Sequence, residues 1–308
     1  MLAHPAGLAP RLLGDNVQFA VAVIEHILFP VDFSEASLQA IPLVRAIAGR
    51  CGAKVTLLSV VPPAWNAPPG AVPLVSGLGD PEHELKARQD QVIAREFGGL
   101  VTSSVTSVGE PARKIAEFSH SQNVDLIMMP THGVSGYRRE LLGSVTAQVL
   151  HEAKCPVWTT AHSERQQSPQ IPRIILCAID DSAATAAVMR WASDFSACVS
   201  AELTFLHVVA LVGIATTSPG DSGIQEELRK GTYEKLESLR QESGLGGRLQ
   251  VIVGDVVETV IRGARKEQAD LLIIGRGHLP SPLGRLRSKA YAMIQESACP
   301  VLSVAAQV

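Results

Sequence analysis

Short apolar runs alternate along this chain with longer stretches whose apolar positions return every three or four residues. The runs at about 27–31, 55–61, 101–108, 125–129 and 157–160 are rich in Val, Ile and Leu and read as strands. Between them, about 35–51, 81–97, 111–121 and 144–153 carry the helical period. The same order then returns, with strands at about 173–179, 202–210, 248–253, 270–274 and 301–304 and helices at about 183–199, 222–243, 256–266 and 288–296. Ser34 is placed to cap the first helix, and Pro111 sits where a first helical turn tolerates proline. Strands that alternate with helices pair in parallel, because each crossover must travel back along the sheet. The pattern predicts an α/β protein: two tandem copies of a five-stranded parallel sheet with helices on both faces.

Particular residues support the duplication. Ile27-Leu28-Phe29-Pro30-Val31-Asp32-Phe33-Ser34 returns 148 residues later as Ile175-Leu176-Cys177-Ala178-Ile179-Asp180-Asp181-Ser182. Gly109-Glu110 matches Gly254-Asp255 and Asp125-Leu126-Ile127 matches Asp270-Leu271-Leu272, both after 145 residues, and Cys155-Pro156-Val157 returns after 144. Blocks that keep their order with a slowly shrinking offset mean one duplicated domain with small loop deletions in its second copy. The expected units are an N-terminal extension at 1–23, a first domain at 24–162, a polar, proline-bearing linker at 163–172 and a second domain at 173–308.

Composition narrows the class. Hydrophobic residues make up 46% and charged residues 19%, which suits a globular protein with filled cores. The net charge of −3 and the absence of a long basic run argue against a nucleic acid partner. No apolar run approaches the ~20 residues that span a bilayer, so no membrane partner is expected, and 1–23 does not read as a signal peptide. The five cysteines stand far apart without a CxxC pair. They imply neither zinc nor a disulfide framework, and read as reduced, buried thiols of a cytoplasmic protein.

Ligands of such sheets bind beyond the carboxyl ends of the strands, where strand order reverses. After the fourth strand comes Pro130-Thr131-His132-Gly133, then nine residues, then Gly143-Ser144 opening a helix. Gly133 allows close backbone approach, and Gly143 and Ser144 are expected to present free amides and a hydroxyl to an anion. Asp32, after the first strand, suits ribose hydroxyls; equally, it suits a turn. Val60 ends the second strand and reads as a core valine or as a source of main-chain groups for a base. His132 reads as a loop histidine bonded to backbone or ligand, and His207 as a structural residue. No nucleophile elbow, metal-ligand pair or Walker sequence is present, so no catalytic residue is assigned.

Taken as a set, these pieces resemble the universal stress protein family, over most of the chain. Its motif is Gly, two residues, Gly, nine residues, then Gly and Ser or Thr, with an Asp after the first strand. The resemblance implies a Rossmann-like, adenine nucleotide alpha hydrolase-like fold. It also implies adenine-nucleotide binding, ATP with Mg being the ligand expected. Carried onto this chain, adenosine contacts fall on Asp32 and Val60, and phosphate contacts on Thr131, His132, Gly133, Gly143 and Ser144. Pro130 replaces the motif's first glycine, which removes one amide donor. The second copy keeps Asp180, Val208, Gly275, Gly277 and Ser288 but has Arg287 before the serine. Its guanidinium either fills the phosphate position or pairs with a phosphate. The function expected is a stress-response protein with a regulatory or sensing nucleotide, held in the first domain, and with at most slow hydrolysis. The alternative is a protein-interaction module with degenerate pockets. The family also pairs through last strands, which implies an intrachain pseudo-dimer through 157–160 and 301–304, and leaves a homodimer of chains open.

Overall fold

A computed structural model describes residues 24–62, 81–131, 142–160, 171–210, 221–276 and 289–305. The first half runs β1 (His26–Pro30), α1 (Glu35–Cys51), β2 (Lys54–Val61), α2 (Pro81–Glu96), β3 (Thr102–Val108), α3 (Pro111–Ser121), β4 (Leu126–Pro130), α4 (Ser144–Glu152) and β5 (Val157–Thr160). The second repeats it as β6 (Ile174–Ile179), α5 (Thr185–Val199), β7 (Glu202–Val209), α6 (Asp221–Glu242), β8 (Arg248–Val253), α7 (Val256–Lys266), β9 (Leu271–Arg276), α8 (Lys289–Glu296) and β10 (Val301–Ala305).

The strands form one ten-stranded sheet in the order β3-β2-β1-β4-β5-β10-β9-β6-β7-β8. Within each half every pairing is parallel. The halves join where β5 and β10 pair antiparallel, Leu302 opposite Trp158. Thr159 donates its hydroxyl to the Val301 carbonyl at 3.1 Å, and Ser303 donates to the Val157 carbonyl at 3.3 Å. These two bonds are mates under the internal two-fold, as an isologous contact requires. The pairing leaves neither last strand as a bare edge.

Alternate strand residues face opposite sides, and each side has its own core. Ile27, Phe29 and Leu57 pack with Val44 and Ile47 of α1, Phe195 of α5 and Leu236 of α6. Leu28 and Leu58 pack with Ile115 of α3, Val149 of α4, Val260 of α7 and Ile294 of α8. Both cores run through the junction, where buried Trp158 meets Phe195 edge-on at 5.8 Å and Phe195 stacks on Trp191 at 5.3 Å.

Capping sets the helix starts. Ser34 accepts from the Ser37 amide at 3.2 Å. Glu110, just before Pro111, accepts from the Ala112 and Arg113 amides, and Asp255 accepts from the Glu258 amide. The second half's first helix begins at Thr185 rather than near 183, since Ala184 offers no side-chain cap.

Candidate functional site

In both halves strand order reverses beside the first strand, between β1 and β4 and between β6 and β9. The second half holds a cavity of about 260 Å³ there. Val188, Leu206, Ile274 and Met293 form its apolar lining, and Asp180, Thr185, His207 and Lys289 bring polar groups to it. Val208 and Gly275, both singled out in the sequence, also line it. Its size is a little below the roughly 300–1,000 Å³ of drug-sized ligand pockets.

Asp180 is fixed by its own turn. The Ser182 amide donates to its Oδ1 at 3.1 Å, and the Thr185 hydroxyl lies 2.9 Å from the same oxygen. Burial pushes the carboxyl up, but these hydrogen bonds together outweigh it and hold Asp180 below the ordinary carboxylate value. The result is a carboxylate that stays ionised, an acceptor suited to hydroxyl donors. Lys289 opens α8, so its ammonium stands near the helix end that favours anions. Space does not demand glycine at 275, where a Cβ would meet Val188 at an ordinary 3.4 Å.

The first half keeps the same turn. Asp32 Oδ1 accepts from the Ser34 amide at 3.0 Å and the Ser34 hydroxyl at 2.6 Å. Phe33, the next residue, has φ 57°, sparsely populated for a bulky side chain, and its ring carries Arg88 at 4.5 Å. Val60 is half-buried in β2 opposite Ser107 and packs against the core that holds Leu28 and Leu58.

Two expectations about the first half's loop need correction. Pro130 is not part of the turn: it is the last residue of β4, buried, in register with Thr160, and its carbonyl accepts from Thr146 at 3.1 Å. Proline is tolerated there because it closes the strand rather than interrupting it. The Gly143 amide is not free either, for it donates to the Thr131 carbonyl at 2.9 Å. The Thr131 hydroxyl turns to the Thr160 carbonyl at 3.1 Å. Ser144, exposed, opens α4. His132 and Gly133 lie outside the described residues, as do Gly277, Arg287 and Ser288.

Sequence reasoning missed what four residues do. Lys289 was visible only as part of a short basic cluster. Arg276, between the two glycines of the second loop, turns towards the first half: its guanidinium donates to the carbonyls of Leu150 and Ala153 at the end of α4 and of Cys155 in the link to β5. Burial pushes that guanidinium down to about 10, so it remains charged at neutral pH. Cys51 and Cys198, far apart in the chain, bring their sulfurs to 2.8 Å as free, partly buried thiols, a proximity that sequence spacing does not show. Among the described residues no cluster of His, Cys, Asp or Glu could hold a metal, and no helix is long and apolar enough to cross a membrane.

The fold and the site define a fused pair of parallel α/β domains with a cavity at the strand-order reversal of the second. The chain belongs to the universal stress protein family, whose model matches residues 24–160 and 172–305. A universal stress protein of Methanocaldococcus jannaschii is 35% identical over 149 residues, covering 47% of this chain and 87% of that protein. One from Synechocystis sp. is 28% identical over 137 residues, covering 44% and 85%. The crystal structure of a universal stress protein from Archaeoglobus fulgidus superposes with a TM-score of 0.63 at 20% identity, covering 91% of this chain and 96% of that one. At that identity the likeness is one of fold.

Proposed function

We propose that this chain is a cytoplasmic stress-response protein that binds an adenine nucleotide, ATP with its Mg or a relative, as a regulatory ligand. The observation that carries the reading is the cavity of about 260 Å³ beyond β6, β7 and β9, where Asp180, Val208 and Lys289 converge. Asp180 accepts from ribose hydroxyls, the apolar wall with Val208 holds the base, and Lys289 meets the phosphates. Sequence spacing favours the first half; the geometry gives the second half at least equal standing. Asp32 in its matching turn is the first half's counterpart.

The test is thermal unfolding of the full chain with ATP, ADP and AMP at millimolar concentration, together with chromatography of nucleotide released on denaturation. A ligand at 100 times its Kd adds about 2.7 kcal/mol of stability. Asp180→Ala and Asp32→Ala, measured separately, report which half responds. No released nucleotide and no shift with any of the three would overturn the reading. A second reading, a protein-interaction module with degenerate pockets, draws on the first half, where Gly143 spends its amide internally. It predicts no nucleotide effect in either variant or parent.

A further inference from the structure

The geometry points to a redox site that ties the two domains together: Cys51 and Cys198 are placed to form a reversible disulfide across the interface of α1 and α5. Cys51 is the last residue of α1, and Cys198 lies one residue before the end of α5. Their sulfurs, 2.8 Å apart, are about 0.8 Å further apart than in a disulfide, whose bond is about 2.05 Å. Both side chains are only partly buried, so a small oxidant has access.

The surroundings hold this approach in place. Arg50 donates through Nε to the Cys198 carbonyl at 3.0 Å and through its guanidinium to the Ser200 hydroxyl. Both helices end there in left-handed caps, Gly52 at φ 72° and Ser200 at φ 60°, which turn the chain away from the contact. The internal repeat does not generate the pair. At the offset of 148, Val199 stands in the place of Cys51, and Cys198 in the place of Arg50. Near a two-fold axis residue i meets j, so two non-equivalent cysteines form one bridge and their mates, Arg50 and Val199, form none.

The oxidant is a peroxide. One Cys198 thiolate attacks one peroxide oxygen, the O–O bond breaks, and Cys198 becomes a sulfenic acid while the hydroxide released takes up the thiol proton as water. The Cys51 sulfur then attacks the sulfenic sulfur. The S–S bond forms, the S–O bond breaks, and the hydroxyl leaves with the Cys51 proton as a second water. Two thiols lose two electrons and the peroxide gains them. Burial, with the neighbouring thiol, pushes the Cys51 thiol up; the same balance holds with the two cysteines exchanged. The bridge adds a covalent tie between domains otherwise joined by packing, β5–β10 pairing and the hydrogen bonds of Arg50 and Arg276.

The experiment treats the purified full chain with hydrogen peroxide and maps peptides by mass without reduction. The expected product is a single crosslink between the Cys51 and Cys198 peptides, with the loss of two hydrogens, reversed by a dithiol. The thermal midpoint of the oxidised chain should rise by roughly 5 °C or more and return on reduction. Cys51→Ser and Cys198→Ser should each abolish both effects, while Cys155→Ser should leave them. The proposal is overturned if the unmodified chain keeps both thiols, if Cys198 stops at sulfinic acid, or if crosslinks form only between chains. Because the peptide map uses the native sequence, poor folding of a variant does not protect the idea.

Discussion

His207 reaches the Ile179 carbonyl through Nδ1 at 3.1 Å, linking the second strand of its half to the residue just before Asp180. Ser59, 148 positions earlier, donates to the Val31 carbonyl at 2.8 Å in the matching place before Asp32. Two different side chains therefore solve one problem, which is to satisfy a carbonyl where β1 or β6 ends and the acidic turn begins. The longer side chain also lines the cavity.

His207→Ala should cost about 1–3 kcal/mol, because it strands a buried acceptor and opens space. His207→Ser copies the first half's solution and should recover part of that loss. Equilibrium urea unfolding ranks the three proteins. If Ala and Ser variants are equally destabilised, the carbonyl bond is not what holds this corner.

Arg276 leads to a second prediction. Its partners are carbonyls at and just beyond the end of α4 in the other half, where a cation also meets the favourable end of the helix dipole. Arg276→Met keeps the stem but removes every donor, and should lower stability by about 2–3 kcal/mol. Arg276→Lys should recover little, since one ammonium cannot span three carbonyls set by a fork. Urea midpoints compare them, and a fully stable Lys variant would show that charge alone suffices.

The turn at Asp32 gives a third. The Ser34 hydroxyl both accepts from Ser37 and donates to Asp32. Ser34→Ala should lose about 1 kcal/mol through the cap. It should also free Asp32 Oδ1 from a short bond and weaken any ligand that needs this carboxylate oriented. Differential scanning with and without nucleotide separates the two effects.

These residues show what can be read from a sequence of this kind. Ser34, Pro111 and the strand runs act through local chemistry, and local chemistry is legible. The duplication made the topology legible too, because one half's pattern checks the other's. Arg276 was not legible: flanked by glycines it reads as a phosphate-loop residue, and only the antiparallel junction brings α4 within its reach. Cys51 and Cys198 were hidden for the same reason, since a two-fold contact joins positions that the repeat does not equate. Gly143 reads as a free amide until the fold supplies the Thr131 carbonyl.

His26 gives the last prediction, one of pH. It is buried, with Nδ1 3.2 Å from the Gln122 carbonyl and Nε2 2.8 Å from the Thr56 hydroxyl. A carbonyl only accepts, so Nδ1 carries the proton and Nε2 accepts from Thr56. Burial is the main force on the ring and Lys54 adds to it; together they hold His26 below its ordinary 6.5 despite the Gln122 carbonyl and Asp125. Below 6.5 the unfolded chain therefore binds more protons at this site than the folded one. The stability that the neutral ring supplies is complete above 6.5 and drains away as pH falls through the lowered folded value. The second half carries Ile174 at the equivalent position beside Thr204, so His26→Ile is a substitution this fold already accepts. Thr56 keeps a partner in Ser103 at 3.0 Å. Stability measured from neutral pH down to about pH 5 should fall less steeply in His26→Ile than in the parent. Parallel curves would mean that His26 carries no part of the acid sensitivity.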